Sequence, residues 1–174
     1  MAHVAVTEQP GIVGLLQHYP RTGQPLSHLA EALLRGPSPL SAAERELIAT
    51  YTSTLNRCAF CAGSHGAAAR ALADEPGTVD ATLADPATAP LSGRMHALLA
   101  IAARVQEGGR SVSEGDVAAA RAEGATDPEI HDTVLIAAAF CMYNRYVDGL
   151  ATRVPAEGYD AIGAHLAAHG YLHT

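Results

Sequence analysis

Apolar and polar positions along the chain follow a helical period. Apolar residues recur at intervals of three and four over most of its length, and no stretch alternates apolar and polar residues as a half-buried strand does. The first such segment runs from Pro25 to Arg35 and is ended by Gly36 and Pro37. The pattern predicts an all-α fold, a single-domain helical bundle.

Helix start signals divide the rest of the chain. Ser41 and Glu44 have the spacing of a capping box, which predicts a helix from there to about Leu55. Asn56 is the predicted break and the predicted N-terminal cap of a second helix, which carries Cys58 and continues to about Leu72. The first turn or two of that helix would therefore hold its cysteines.

The second half contains four more predicted helices, and the segment between the halves is irregular. Residues 74–90 are rich in Asp, Pro, Thr and Gly, and predict a surface connection with at most one helical turn. The segment from Thr126 to about Leu150 has few polar residues, so it is the predicted central, most buried helix. The other three predicted helices span Leu91 to Val105, Ser113 to Gly124, and roughly Tyr159 to His169.

Length and composition indicate one domain. A chain of 174 residues with 48% hydrophobic residues can bury a sizeable core without disulfides or structural metal. Residues 1–24 contain Pro10, Pro20 and a short apolar patch from Ile12 to Leu16. We assign them as a partly ordered N-terminal arm, packed on the body or on a partner subunit, and assign no regular element within it. Residues 25–174 are the predicted helical domain.

Charge excludes several classes of function. The net charge is −7, and the 11 basic residues are all arginines spread singly along the chain, so a nucleic-acid surface is not expected. The absence of lysine excludes a Schiff-base mechanism and a Walker-type phosphate site. No secretory signal and no apolar stretch of about 18 residues occurs, so we expect a cytoplasmic protein without a membrane partner.

The candidate chemistry lies in one short stretch. On a helix, Cys58, Cys61 and His65 are separated by three and four positions, which places both sulfurs and the imidazole on one face. A helix N-terminus and a nearby imidazole both favour the reactive thiolate, and a CxxC pair can close into a disulfide. Glu46 precedes Cys58 by twelve residues and could hold His65 in one tautomer or relay its proton.

The spacing E-x11-C-x2-C-x3-H resembles the alkylhydroperoxidase D-like branch of the carboxymuconolactone decarboxylase superfamily. The flanking sequence is similar to the peroxidase-related members, and the resemblance covers roughly residues 10–150. The similar flanks are the run from Leu33 to Ser41, the run from Glu44 to Ile48, and Asn144 with Arg145.

The resemblance implies an all-helical homo-oligomer that reduces hydroperoxides with electrons from an external dithiol, without organic cofactor or metal. It implies a Glu and His proton relay, which by position would be Glu46 and His65, with Cys61 attacking the peroxide and Cys58 resolving it. The best-studied members have a histidine where this chain has Phe60, so proton relay or reductant recognition is expected to differ. The decarboxylase members generally lack the cysteine pair, which argues against lactone decarboxylation here.

Alternatives to peroxidase chemistry remain open at the level of sequence. Two thiolates and an imidazole are good zinc ligands, and Glu46 could be the fourth. The pair could also serve disulfide exchange or redox sensing without any peroxide, or it could be simple packing, as we predict for Cys141. For Asn144 and Arg145 we predict a structural salt bridge or interhelical hydrogen bond, with an acid such as Glu46 or Asp148 as partner.

Overall fold

The fold is all-α, as the periodicity predicts. The structure, a computed structural model, describes residues 2–172, and in that range it contains no strand. None of the helices within these residues is long and apolar enough to cross a membrane. The helices are α1 Gly11–His18, α2 Pro20–Leu34, α3 Ala42–Leu55, α4 Ala59–Leu72, α5 Gly77–Ala84, α6 Gly93–Glu107, α7 Glu114–Ala122, α8 Asp127–Gly149 and α9 Tyr159–His169, with a single 3-10 turn at Gly109–Ser111.

Three helix starts share one capping chemistry, and one of them is the capping box predicted at Ser41 and Glu44. In each, the hydroxyl of the capping residue accepts a hydrogen bond from a first-turn amide, and an acidic side chain accepts from the capping residue's own amide. These reciprocal bonds satisfy backbone donors that have no partner within the helix. The pairs are Ser41 with Glu44 for α3, Ser113 with Asp116 for α7, and Thr126 with Glu129 for α8.

The N-terminal region is more regular than predicted. Helix α1 lies within the segment assigned as an irregular arm, and α2 begins at Pro20 rather than at Pro25. Pro25 cannot donate to the carbonyl of Arg21, but both residues are exposed, so water can bind that carbonyl. Leu15 is fully buried and anchors α1 to the body. The proline and glycine content of the arm therefore misled the prediction.

Two further boundaries differ from prediction. The segment 74–90 contains the two-turn helix α5, whose Val79 and Thr82 are buried against the body. Asn56 is the C-terminal cap of α3, and the N-terminal cap of α4 is Cys58. Between them Arg57 has φ 60°, a left-handed conformation that reverses the chain. The side chain of Asn56 faces α8 instead of capping a helix.

The main core lies between α3, α6 and α8. Fully buried side chains on these helices include Ile48, Leu98, Ile101, Ile136 and Phe140. Helix α8 is the longest helix of the described part of the chain and contributes ten buried residues, in agreement with its predicted central position. Helix α4 packs between α3 and α9, and this arrangement places the CxxC segment inside the bundle.

The contact between α4 and α9 depends on Gly163. A Cβ atom at this position would lie 2.4 Å from the backbone carbonyl carbon of Ala67, so the two helix backbones approach directly. We expect Gly163→Ala to lower the free energy of unfolding by about 1–3 kcal/mol, since backbone must shift to admit the methyl group. Gly77→Ala is the matched control, because nothing lies within 4 Å of the point that its methyl group would occupy. Urea unfolding at equal protein concentration measures both, and equal losses in the two variants would contradict the prediction.

Candidate active site

The structure brings the four predicted site residues into the interior. Glu46 lies in the middle of α3 and is 0% exposed, while Cys58 and Cys61 at the start of α4 are 0% and 2% exposed. The Nδ1 atom of His65, one turn further along α4, is 2.8 Å from Oε2 of Glu46. The helix break at Arg57 thus folds α4 back so that its imidazole meets the carboxylate of α3.

Glu46 is a buried carboxylate with three donors. Its Oε1 forms an ion pair with the Arg35 guanidinium at 2.7 Å and accepts a hydrogen bond from the Tyr171 hydroxyl, and its Oε2 faces His65. Burial opposes ionisation, but His65, Arg35 and Tyr171 together outweigh it, so the pKa of Glu46 lies below its ordinary value. The carboxylate is therefore charged at neutral pH.

The two thiols share their protons unequally. The pKa of Cys58 lies below its ordinary value, because the Cys61 thiol donates a hydrogen bond to its sulfur and outweighs burial and the charge of Asp148. The same hydrogen bond and burial hold the pKa of Cys61 well above its ordinary value. The reduced pair thus favours a thiolate on Cys58 and a proton on Cys61.

An apolar cavity of about 70 Å³ opens beside Cys61 and His65. This volume has room for a few water molecules or a small organic group. Helix α1 forms part of the cavity wall, so the segment that lacked a clear period is a structural part of the site. The apolar wall residues are Ile12, Val13, Leu16, Leu26, Ala30, Phe60, Phe140, Ile162 and Leu166.

Phe60, between the two cysteines, is a packing residue. Its ring covers Gly11 so closely that a Cβ atom there would lie 2.3 Å from the ring. On another side it meets the ring of Tyr159, with 6.5 Å between the ring centroids. Where the resemblance expects an imidazole, the chain therefore has an aromatic side chain that attaches α1 and α9 to the CxxC segment.

Arg35 and Tyr171 belong to the site, but sequence reasoning missed their roles. Arg35 enters the sequence analysis only as the end of the first predicted helix and as part of a family-like flank, and its ion pair with Glu46 of α3 has no local signature. Tyr171 follows the last helix and lies outside any periodic segment. No signal in a single sequence connects it with a residue 125 positions earlier.

The predicted structural role holds for Asn144 but not for Arg145. Asn144 is buried, and its amide donates to the Ser53 hydroxyl at 3.0 Å and accepts from the Asn56 amide at 2.8 Å, which confirms the predicted interhelical hydrogen bonding. Arg145 is exposed and donates to the carbonyl of Cys141 in its own helix. The prediction of a buried Arg145 with an acidic partner was wrong, because the residue lies on the solvent side of α8.

Within residues 2–172, no group of three or more His, Cys, Asp and Glu side chains is arranged to hold a metal ion. Every oxygen of Glu46, the fourth ligand that a zinc site would need, already accepts from a neighbouring donor. The carboxylate serves as the anchor of a hydrogen-bonded network.

The helical domain that holds the buried CxxC pair is similar to alkylhydroperoxidase-like folds. The sequence profile of the Carboxymuconolactone decarboxylase family matches residues 20–104. A comparison with curated proteins found no match. Two solved structures extend the similarity over most of the chain.

One is an uncharacterized peroxidase-related protein from Silicibacter sp. TM1040, 30% identical, with a TM-score of 0.76 over 84% of this chain and 78% of that one. The other is described as the alkylhydroperoxidase AhpD core of an uncharacterized peroxidase-related protein from Ralstonia eutropha JMP134. It is 29% identical, with a TM-score of 0.80 over 89% of this chain and 81% of that one. The chain belongs to the alkylhydroperoxidase D-like and carboxymuconolactone decarboxylase superfamily.

Proposed function

We propose that the protein is a thiol-dependent peroxidase that reduces a hydroperoxide through Cys61 and Cys58. The observation that carries the proposal is that Cys61 and His65 line one cavity, while the other side of the His65 ring is held by an ionised carboxylate. A substrate in this cavity would meet a sulfur and a ring nitrogen together. The family similarity supports the same general activity.

The hydrogen-bond network supports one tautomer of His65. The hydroxyl hydrogen of Tyr171 is directed to Glu46, and Glu46 is ionised, so both groups near Nδ1 can only accept from it. This arrangement favours a hydrogen on Nδ1 and leaves Nε2 as the nitrogen that can exchange a proton. An imidazole held in this way can take a proton from a thiol and return it to a leaving oxygen.

The proposed reaction balances with two thiols per peroxide. The Cys61 thiol passes its proton to Nε2 of His65, and the resulting thiolate attacks the terminal peroxide oxygen. The O–O bond breaks, and the departing alkoxide takes the proton back from Nε2 to leave as an alcohol. The Cys58 thiolate then attacks the resulting sulfenic sulfur, and water leaves as the disulfide forms. This second step needs a thiolate on Cys58, which is the thiol whose pKa is lowered in the reduced pair.

An external dithiol must reduce the disulfide to complete the cycle, and we propose that the protein works as a homo-oligomer in a reducing compartment such as the cytoplasm. No organic cofactor or metal enters the reaction. A disulfide-exchange or redox-sensing role without peroxide chemistry is the second candidate, because the unequal pKa values of the thiols would serve exchange equally well.

The test is stopped-flow consumption of an organic hydroperoxide by the reduced, metal-free protein, with free thiols counted before and after. We expect the loss of two thiols per peroxide at a rate well above that of a free thiol. Cys141→Ser is the matched control, since this third cysteine lies on α8 outside the cavity, and the variant should behave as the wild type. If the rate is no higher than that of a free thiol, and a disulfide reagent still oxidises Cys58 and Cys61 to their disulfide, the peroxidase proposal is overturned and exchange is favoured.

A further inference from the structure

We propose that Tyr171 is a positioning residue for the reaction, and that the turn after α9 is built to hold its hydroxyl between Glu46 and His65. The inference rests on the proposed function and extends it to a part of the chain outside the cysteine motif. Three observations carry it: how the turn is anchored, where the hydroxyl lies, and how the ring confines the imidazole.

The turn is anchored by contacts from α2. Gly170 ends α9 with φ 70°, a left-handed conformation that a glycine adopts at little cost. The amide of Tyr171 then donates to the Glu31 carboxylate at 2.7 Å. The Arg35 guanidinium donates to the Leu166 carbonyl at 3.0 Å and lies 5.1 Å from the centre of the Tyr171 ring. The backbone of Tyr171 is thus held by Glu31 and its ring by Arg35.

The hydroxyl of Tyr171 completes the environment of the carboxylate. It donates to Oε1 of Glu46, and its oxygen is 3.2 Å from Nδ1 of His65. Burial and the charge of Glu46 keep the pKa of Tyr171 well above its ordinary value, so the phenol remains a donor at neutral pH. The hydroxyl therefore acts on Glu46 and, together with it, on the Nδ1 hydrogen of His65.

The rings of Tyr171 and Phe140 confine His65. Tyr171 stacks on the imidazole with an interplanar angle of 11° and 5.7 Å between centroids, while Phe140 meets the ring edge-on at 4.6 Å. An imidazole between two aromatic rings, with Nδ1 bound to Glu46, keeps one orientation. Tyr171 thereby fixes the direction of Nε2 from the wall of the cavity that it shares with Cys61.

The test is Tyr171→Phe, which keeps the stacked ring and removes only the hydroxyl. We expect the rate of hydroperoxide reduction at neutral pH to fall about tenfold, because the relay loses part of its alignment. The acid limb of the pH–rate profile should also move to higher pH, since Glu46 loses a donor to its ionised form. The other charged or titratable groups acting on Glu46 are Arg35, Arg45 and His65, and all stay in place.

Tyr146→Phe on α8 is the control, as this tyrosine lies outside the cavity beside Cys61, and it should leave rate and pH profile unchanged.

Alkylation of Cys61 by iodoacetamide, measured against pH in a Cys58→Ser background, tests Tyr171 without any peroxide. If wild type fails to reduce peroxide but Tyr171→Phe still shifts the alkylation profile, only the proposed function falls. Wild-type rates and profiles in Tyr171→Phe would overturn the role of Tyr171. If that variant does not fold, Glu31→Ala, which releases the anchored amide, replaces it with the same expected shifts.

Discussion

Cys61→Ser is expected to reduce hydroperoxide consumption by at least about a thousandfold, whereas Cys58→Ser should consume one equivalent and then stop. Cys61 lines the cavity with His65, so its sulfur is the one that a bound peroxide meets. A serine hydroxyl is a far weaker nucleophile toward peroxide oxygen. Without Cys58 the first step can still occur, but the sulfenic acid has no adjacent thiol to resolve it.

Trapping the sulfenic acid with dimedone, followed by mass spectrometry, distinguishes the two roles. The adduct should form on Cys61 in Cys58→Ser and should be absent from Cys61→Ser. The opposite pattern, with an adduct on Cys58, would assign the first attack to Cys58, the thiol with the lower pKa. In that case access from the cavity would matter less than the thiolate population.

Glu46→Gln is expected to lower the free energy of unfolding by about 3 kcal/mol at neutral pH and to slow peroxide reduction strongly. The substitution leaves Arg35, whose side chain is only 14% exposed, without its ionic partner. Breaking a buried ion pair from one side costs about 3–5 kcal/mol, and the remaining solvent contact of Arg35 places this case at the lower end. An amide also fails to hold His65 by charge, so the favoured tautomer is lost.

The stability difference should depend on pH in a definite direction. The pKa of Glu46 in the folded protein lies below its ordinary value of 4.5, so its contribution is complete above about pH 4.5 and is lost as the pH falls through the folded value. Wild type and Glu46→Gln should therefore converge in strongly acidic solution. Urea unfolding between neutral and acidic pH measures this, and the control Glu107→Gln, at an exposed pair, should differ from wild type by less than about 1 kcal/mol. A gap between wild type and Glu46→Gln that widens on acidification would contradict the assignment.

The features that the sequence predicted well are those with a local cause. A capping box needs only two side chains three residues apart, so the starts of α3, α7 and α8 could be read directly. The CxxC and the histidine one turn later share a face by helical geometry alone. The long apolar segment of α8 similarly predicted its central position.

The features that were missed have causes distant in sequence. Helix α1 owes its place to contacts of Leu15 and Gly11 with the body, and neither produces a period in an eight-residue helix. The cap of α4 at Cys58 follows from the left-handed turn at Arg57. Arginine has no preference for this conformation, so the sequence gives no sign of the turn. Arg35 and Tyr171 reach Glu46 only because α2 and the turn after α9 meet over it.

The contact of Phe60 with Gly11 affects the two half-reactions of the proposed cycle differently: oxidation can occur in the resting structure, whereas reduction requires a change in it. A small oxidant needs only the cavity beside Cys61, which exists in the resting structure. A protein reductant must bring its own sulfur into line with a disulfide at Cys58 and Cys61, both of which lie beneath the surface. Recycling would therefore require a local opening of the contacts that α1 and α9 make with Phe60, and its maximal rate would be that of this opening, whatever the concentration of the reductant. The rate of oxidation would be set by the reaction of Cys61 with peroxide, and the rate of reduction by the local opening. The oxidised form would therefore accumulate during turnover.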